Sequence, residues 1–197
     1  MATVQSILDK AELLLIDETN IHWSEDELLG WLNDAYKVIV KLVPQSSVKR
    51  ISYTGLTANK PDQDLPSDSI VLLGMHYNTA SGKDVSMIGR EALDSSVSGW
   101  YTQSGTGDIK HYVYDALNPK LVWLYPNPTI NTSVEISYSF VPSNADTTGD
   151  CHLDDTYVTS IIDYILYRAY LKDSATGGDS NRATIAYQAF LQTLIKE

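Results

Sequence analysis

The sequence has very little cysteine and no long apolar run. Cys151 is the single cysteine among 197 residues, so no internal disulfide can form and nothing indicates an oxidising compartment. No apolar run approaches the roughly 20 residues that span a bilayer, and residues 1–10 lack the basic and apolar regions of a signal peptide. We therefore expect a protein made in a cytoplasm, with no membrane partner.

Basic residues are also scarce. The chain carries 14 Lys and Arg against 25 Asp and Glu, a formal net charge of -11. Proteins that grip DNA place Lys and Arg on its phosphates, so this balance argues against DNA binding. An acidic wall can let a duplex pass without sticking, although acidity that only keeps a protein soluble is the more common case.

Phenylalanine is rare, with 2 Phe against 13 Tyr and 4 Trp. Phe fills a core as well as Tyr does, but Tyr and Trp also carry a polar group and are enriched where a partner covers the surface. The composition therefore favours a protein-interaction surface or a sugar-stacking face.

No pattern typical of a catalytic or cofactor site stands out. Segment 104–107 (Ser-Gly-Thr-Gly) has the glycines of a phosphate loop but lacks the Lys that should follow, so a turn is favoured. Cys151 and His152 are adjacent, whereas zinc ligands come in spaced pairs, and the nearby carboxylates are typical of a helix N-terminus. We predict no catalytic residue, no cofactor and no metal.

Helical periodicity marks the N-terminal end of the chain. Apolar residues from Val4 to Leu15 recur at helical spacing. Ser24 is placed to cap a second helix, and the Glu27 side chain is predicted to bond back to the Ser24 backbone N–H. This helix is predicted to end before Pro44.

The C-terminal end is helical again. A helix from Val158 to Lys172, behind a cap at Asp154, is apolar on nearly every side, which is typical of a helix buried on both sides or covered by a partner subunit. The pair 177–178 (Gly-Gly) ends this region, and Asp179 is predicted to cap a final helix. The apolar face of that final helix is Ala183, Tyr187, Phe190 and Leu194.

The middle of the chain alternates with a period of two. Strands are predicted over 70–77, 109–114, 121–125 and 134–140, with a turn at 115–119 and a short helix over 88–95. The resulting fold class is α+β. Residues 1–45 and 151–197 form a helical bundle, and residues 46–150 form a β-rich antiparallel insertion.

Arg168 lies within the apolar helix, where a buried charge needs a partner. Asp34 on the second helix and Asp163 are the candidate partners. A salt bridge inside the bundle, an Arg reaching out to the surface and a pair between subunits all stay open.

Short motifs occur in a fixed order along nearly the whole chain. They include Trp23-Ser24-x-x-Glu27-Leu28-x-x-Trp31-Leu32-Asn33-Asp34-Ala35, Leu65-Pro66-Ser67-Asp68, Gly89-Arg90-Glu91-x-Leu93-Asp94, His111-Tyr112-Val113-Tyr114-Asp115, Leu124-Tyr125-Pro126-x-Pro128 and Asp163-Tyr164-Ile165-Leu166-Tyr167-Arg168-Ala169-Tyr170. Taken together, the series resembles the head-to-tail adaptor (connector) proteins of tailed bacteriophages, chiefly short-tailed ones.

The resemblance implies a structural protein of the virion neck, assembled in the host cytoplasm. Such a protein forms a ring, expected to hold twelve copies, that binds the portal, extends the DNA channel and offers a platform to the tail nozzle or tail tube. DNA would pass through it without specific binding. The end at Glu197, close behind the last helix, leaves little chain for a long arm along the portal.

Eight residues are the candidates for bundle packing or for a subunit or portal interface. They are Trp23, Trp31, Asp34, Tyr157, Tyr164, Tyr167, Arg168 and Tyr170. An alternative is a carbohydrate-binding tail or surface module that uses Trp100, Tyr101 and Trp123 as stacking platforms. A hydrolase with two converging carboxylates is the less favoured alternative.

Overall fold

The computed structural model describes residues 1–174 and 180–195, with side chains described for 1–173 and 181–194. Over these residues the α-helices are α1 (Val4–Leu15), α2 (Glu25–Leu42), α3 (Arg90–Ser96), α4 (Val158–Ser174) and α5 (Ser180–Ile195). The strands are β1 (Val48–Tyr53), β2 (Asp62–Asp64), β3 (Ser69–Asn78), β4 (Ser86–Met87), β5 (His111–Tyr114), β6 (Leu121–Tyr125) and β7 (Val134–Phe140). The predicted α+β fold is confirmed.

Contacts divide the chain into two compact units. The helical unit comprises Met1–Ser46 and Val141–Glu197, and the β unit comprises Ser47–Phe140. Residues 141–150 lie in the helical unit because the Asn33 side chain binds the backbone of Ala145, and Val4 N–H donates to the Gly149 carbonyl at 3.0 Å. The division into a bundle domain and an inserted domain that fold as separate entities stays a prediction.

The first two helices begin at capped positions. Thr3 Oγ1 accepts from Ser6 N–H at 3.2 Å, and Ser24 Oγ accepts from Glu27 N–H at 3.3 Å, as a helix N-cap should. The predicted hydrogen bond from the Ser24 backbone N–H to the Glu27 side chain is wrong. Its carboxylate instead accepts from Lys172 Nζ at 2.7 and 2.8 Å, because α4 passes close to the start of α2.

The C-terminal helices pack as a pair, with α4 in the middle of the unit. Asp154 caps a short 3₁₀ turn that leads into α4, and α4 contacts α1, α2 and α5. The apolar character of α4 is therefore explained by neighbours within its own chain. The predicted breaker at 177–178 and the predicted cap at Asp179 lie outside the described residues.

The β unit holds two sheets that share one core. One has the order β1-β7-β3 and is antiparallel throughout; the other has the order β2-β6-β5-β4. The antiparallel prediction is correct except at β4, which pairs parallel with β5 over two residues. Side chains of both sheets meet in one buried cluster, which contains Leu65, Leu72, Met75, Val85, Ile109, Tyr112, Val122, Leu124, Val134, Ile136 and Tyr138.

Three strands were not predicted from the sequence. β1 exposes its first three residues, so it lacks a clean alternation, and β2 and β4 are only three and two residues long. The strand predicted to begin at Ile109 begins at His111. Ile109 is buried, but its N–H donates to the Asn78 side chain at 2.8 Å rather than to a neighbouring strand.

Candidate interaction surfaces

Half of the predicted interface residues lie in the core of the helical unit. Trp23, Trp31, Tyr157 and Tyr164 are all buried within the single chain. Burying large aromatic side chains stabilises the fold by roughly 1.5–3 kcal/mol each. A partner cannot reach these rings without opening the unit, so within this structure they hold the helical unit together. Their interface role stays a prediction.

The tyrosines of α4 form an aromatic seam with α5. The Tyr164 ring lies 5.3 Å from the Phe190 ring, and the Tyr167 ring lies 4.9 Å from the Tyr187 ring. These separations are typical of favourable aromatic pairs. Phe190 and Tyr187 both lie on the predicted apolar face of the final helix, where Phe190 is buried and Tyr187 is 39% exposed. Tyr187 covers the outer edge of the seam.

Arg168 does not form either of the ion pairs expected for it. Within the described residues, its Nη1 lies 3.5 Å from Tyr164 Oη, a weak hydrogen bond, and no carboxylate lies within 4 Å. Asp34 instead accepts from Lys37 at 2.9 Å on the surface of α2. Asp163 stays half-buried, and burial raises the pKa of its carboxyl. Arg168 is tolerated without an ion pair because it is only half-buried.

Tyr170 is half-buried at the last turns of α4. The Arg182 guanidinium of α5 lies 5.9 Å from the centre of its ring, within the range of a cation–π contact. The contact joins the last turns of α4 to the first turn of α5. Tyr170 therefore also packs within its own chain, although part of its ring reaches solvent.

A group of exposed apolar residues of the helical unit lies at the end of α1, where no interface residue was predicted. Leu13 and Leu14 are 61% and 54% exposed, and Ile16 and Ile21, in the loop that follows, are 91% and 87% exposed. We call these four residues the α1-end patch. The sequence did contain a signal for this patch: four consecutive apolar residues, Leu13-Leu14-Leu15-Ile16, cannot all lie on one face of a helix.

The loop behind the α1-end patch is built around one carboxylate. Asp17 accepts backbone N–H bonds from Ile21, His22 and Trp23 at 3.0, 2.9 and 2.9 Å. The bonds from the Trp23, His22 and Ile21 amides hold the pKa of Asp17 below its ordinary value. Because the carboxylate fixes three consecutive amides, Ile21 is held outward in a defined position.

The predicted sugar-stacking platform is not present in the β unit. Trp100 is 1% exposed, and its indole N–H donates to Asp94 at 2.7 Å, so its ring is part of a core. Tyr101 is exposed, whereas Trp123 is half-buried with the Arg90 guanidinium 5.7 Å above its ring. An open cleft of about 350 Å³ beside Trp100 is therefore lined by one exposed ring and by polar groups, not by three platforms.

The residues considered for chemistry have structural roles. The Cys151 thiol is buried and accepts from Tyr36 Oη at 3.4 Å; burial, then this bond, raises the pKa of Tyr36. Gly105 donates to Asn59 Oδ1 at 2.8 Å and lies so close to the carbonyl of Pro128 that a Cβ would collide with it. Among the described residues, no group of three or more His, Cys, Asp or Glu is placed to hold a metal.

Charge is distributed unevenly between the two units. The helical unit carries 16 Asp and Glu against 7 Lys and Arg, whereas the β unit carries 9 against 7. Eight carboxylates and one lysine fall within residues 1–36 alone. In the part of the chain that the structure describes, no helix is long and apolar enough to cross a membrane.

The helical unit is acidic and exposes an apolar patch, and these features are typical of proteins that bind other proteins. The model of the SU10 adaptor protein family matches residues 2–197. The chain belongs to this family and is a structural adaptor protein of a bacteriophage, a component of the virion neck. No curated protein matches the sequence.

Proposed function

We propose that this chain is the head-to-tail adaptor that binds the portal as a ring of twelve copies, extends the DNA ejection channel and provides the platform for the tail nozzle or tail tube. The observation that carries the proposal is the family match, which spans residues 2–197 and therefore both units. A match to one unit alone would support only a shared fold element.

The charge of the helical unit supports a place beside the channel. With 16 carboxylates against 7 basic residues, this unit would repel the phosphates of a passing duplex. In the proposed ring the helical units surround the channel. DNA would then pass without specific contacts.

The exposed apolar residues of the β unit support a second contact surface. Leu117 is 93% exposed in the turn between β5 and β6, and Ile130 is 85% exposed in the loop before β7. Large aliphatic side chains at turn positions add nothing to the core of their own unit. Ile130 lies beyond the opposite end of β6, so we assign the β5–β6 turn with Leu117 to the tail-facing contact of the adaptor.

The test is native mass spectrometry of the full chain mixed with the portal protein encoded in the same genome. The expected result is a saturating complex with one adaptor chain per portal subunit. Because a ring assembled on a template can be too weak to form alone, a monomer in the absence of portal agrees with the proposal. A portal that stays free across salt and protein concentrations refutes portal docking.

A further inference from the structure

We infer that the α1-end patch is one half of the contact between neighbouring copies in the ring, and that the outer face of α5 on the next copy is the other half. This inference rests on the proposed ring. It names the two faces that touch, which differ from the residues predicted from the sequence.

The α1-end patch has the properties of a preformed binding surface. Its four aliphatic side chains fall within nine residues, and the loop that carries two of them is fixed by the Asp17 carboxylate. Soluble proteins seldom leave such a group uncovered, and a site already fixed in shape loses little freedom on binding. The patch is therefore ready to be covered by a partner.

Ile16 supplies an independent sign that the patch is kept for a purpose other than folding. It ends α1 at φ 59° and ψ 40°, in the left-handed region, where helix C-termini usually have glycine or asparagine. A β-branched residue is an outlier there. Ile16 is also 91% exposed, so the strained position brings the fold no burial in return. Strain of this kind is typical of functional positions.

The charges around the patch indicate which surface covers it. The surrounding segment is acidic, with Asp9, Asp17, Glu18 and Glu25 near the patch in sequence. A second copy of the same patch would bring these carboxylates together, which is unfavourable. The partner surface must therefore be free of carboxylates.

Helix α5 offers such a surface on the same unit. Of the five helices described, it alone contains no Asp or Glu. Its outer face carries Ile185, which is 65% exposed, the exposed Gln188 and the exposed edge of Tyr187, with Arg182 as its basic residue. This face has no carboxylate among its described residues and carries the exposed aliphatic side chain of Ile185, so it complements an apolar patch with an acidic surround.

The two faces lie on different helices, so one contact between them can repeat from copy to copy. Both α1 and α5 pack on α4, but across the described residues they make no substantial contact with each other. A contact between two different faces of identical chains is heterologous, and it closes into a ring when the rotation allows. The inference therefore commits to a second copy of this chain as the occupant of the α1-end patch.

Crosslinking of the ring on its portal tests the inference. Three proteins are compared: Ile21→Cys, Ile185→Cys and the double variant, each bound to portal and treated with a short bismaleimide. The native Cys151 is buried, and the wild type treated in parallel shows its background. The double variant is expected to give a ladder of covalent oligomers, whereas each single variant gives monomers.

Other crosslinking results overturn the inference. Covalent dimers from Ile21→Cys alone would show that two α1-end patches face each other. An assembled ring in which the double variant stays uncrosslinked would refute the α1–α5 contact while leaving portal docking intact. The absence of any oligomer, either on the portal or free at high concentration, would refute both the contact and the ring.

A matched pair of variants tests the charge argument separately. Gln188→Glu and Gln188→Lys change one exposed position of α5 by opposite charges. We expect Gln188→Glu to need roughly tenfold more protein for half-saturation of the portal, because it places a carboxylate opposite the acidic surround, and Gln188→Lys to need no more than wild type. Equal effects of the two variants would contradict this placement.

Discussion

The side chain of Asn33 hydrogen-bonds α2 to the segment that leads into the C-terminal helices, and Asn33→Ala is expected to destabilise the helical unit by removing these bonds. Asn33 is buried; its Nδ2 donates to the carbonyls of Leu29 and Ala145 at 3.1 and 3.2 Å. Its Oδ1 accepts from Ala145 N–H at 2.7 Å. Both polar groups of the Ala145 backbone are thus satisfied by one amide.

The expected loss follows from the two groups that would be left unpaired. Each buried, unsatisfied donor or acceptor costs about 1–3 kcal/mol. The better helix propensity of Ala returns about 0.5 kcal/mol. With two such groups, we therefore expect Asn33→Ala to lower the free energy of unfolding by about 1.5–5.5 kcal/mol. The Leu29 carbonyl adds little, since it can still accept the backbone bond of the helix.

Urea denaturation followed by far-UV circular dichroism measures this loss. The matched control is Asp34→Ala at the next position, which removes an exposed ion pair with Lys37 and should cost less than about 1 kcal/mol. Asn33→Asp is a second variant, which should recover part of its loss in acid, where a protonated carboxyl can again donate to Ala145. A loss for Asn33→Ala no larger than that of the control would refute the reasoning.

Two further predictions concern charged groups of the helical unit. The Glu12 side chain is buried, and its Oε1 has no hydrogen-bond partner among the described residues. Burial, together with the nearby carboxylates of Asp9, Glu25 and Asp17, raises the pKa of Glu12 above 4.5, so the fold disfavours its charged form. Glu12→Gln should therefore stabilise the protein at neutral pH, and the gain should vanish as the pH falls below 4.5; a pH-independent gain in urea titrations would contradict this. Arg168→Ala should change the stability of the free protein by less than about 1 kcal/mol, because the one hydrogen bond that Arg168 makes to a described residue is long. If Arg168 pairs between subunits, the same change should weaken ring assembly on the portal. Unchanged melting temperature together with unchanged assembly would remove Arg168 from the interface candidates.

Local patterns in the sequence identified the helices and the longer strands. Apolar spacing and the caps at Ser24 and Asp154 are decided by residues within a few positions of each other, and the structure confirms both caps. Strands β6 and β7 have clear alternation and were predicted with the bounds that the structure shows. The family resemblance was likewise carried by short motifs in order, and the family match confirms it.

Partner choice for polar and charged side chains was decided only in three dimensions. Glu27 binds Lys172, which lies 145 positions away, instead of its own helix cap. Arg168 binds neither of the carboxylates that its sequence neighbourhood offered. Such pairings depend on which helices pack together and on which of their turns lie side by side, and the periodicity of apolar residues does not specify either.

What the sequence by itself determined is the class of fold, the family and the acidic character of the helical unit, because composition and local spacing encode these. Only the tertiary structure decided which aromatic residues are core and which apolar residues face solvent. Trp23, Trp31 and Tyr164 are covered by their own chain, whereas Ile16 and Ile21 are left exposed. Exposure depends on what the rest of the chain packs against a residue, so it is settled only after the helices and sheets have assembled.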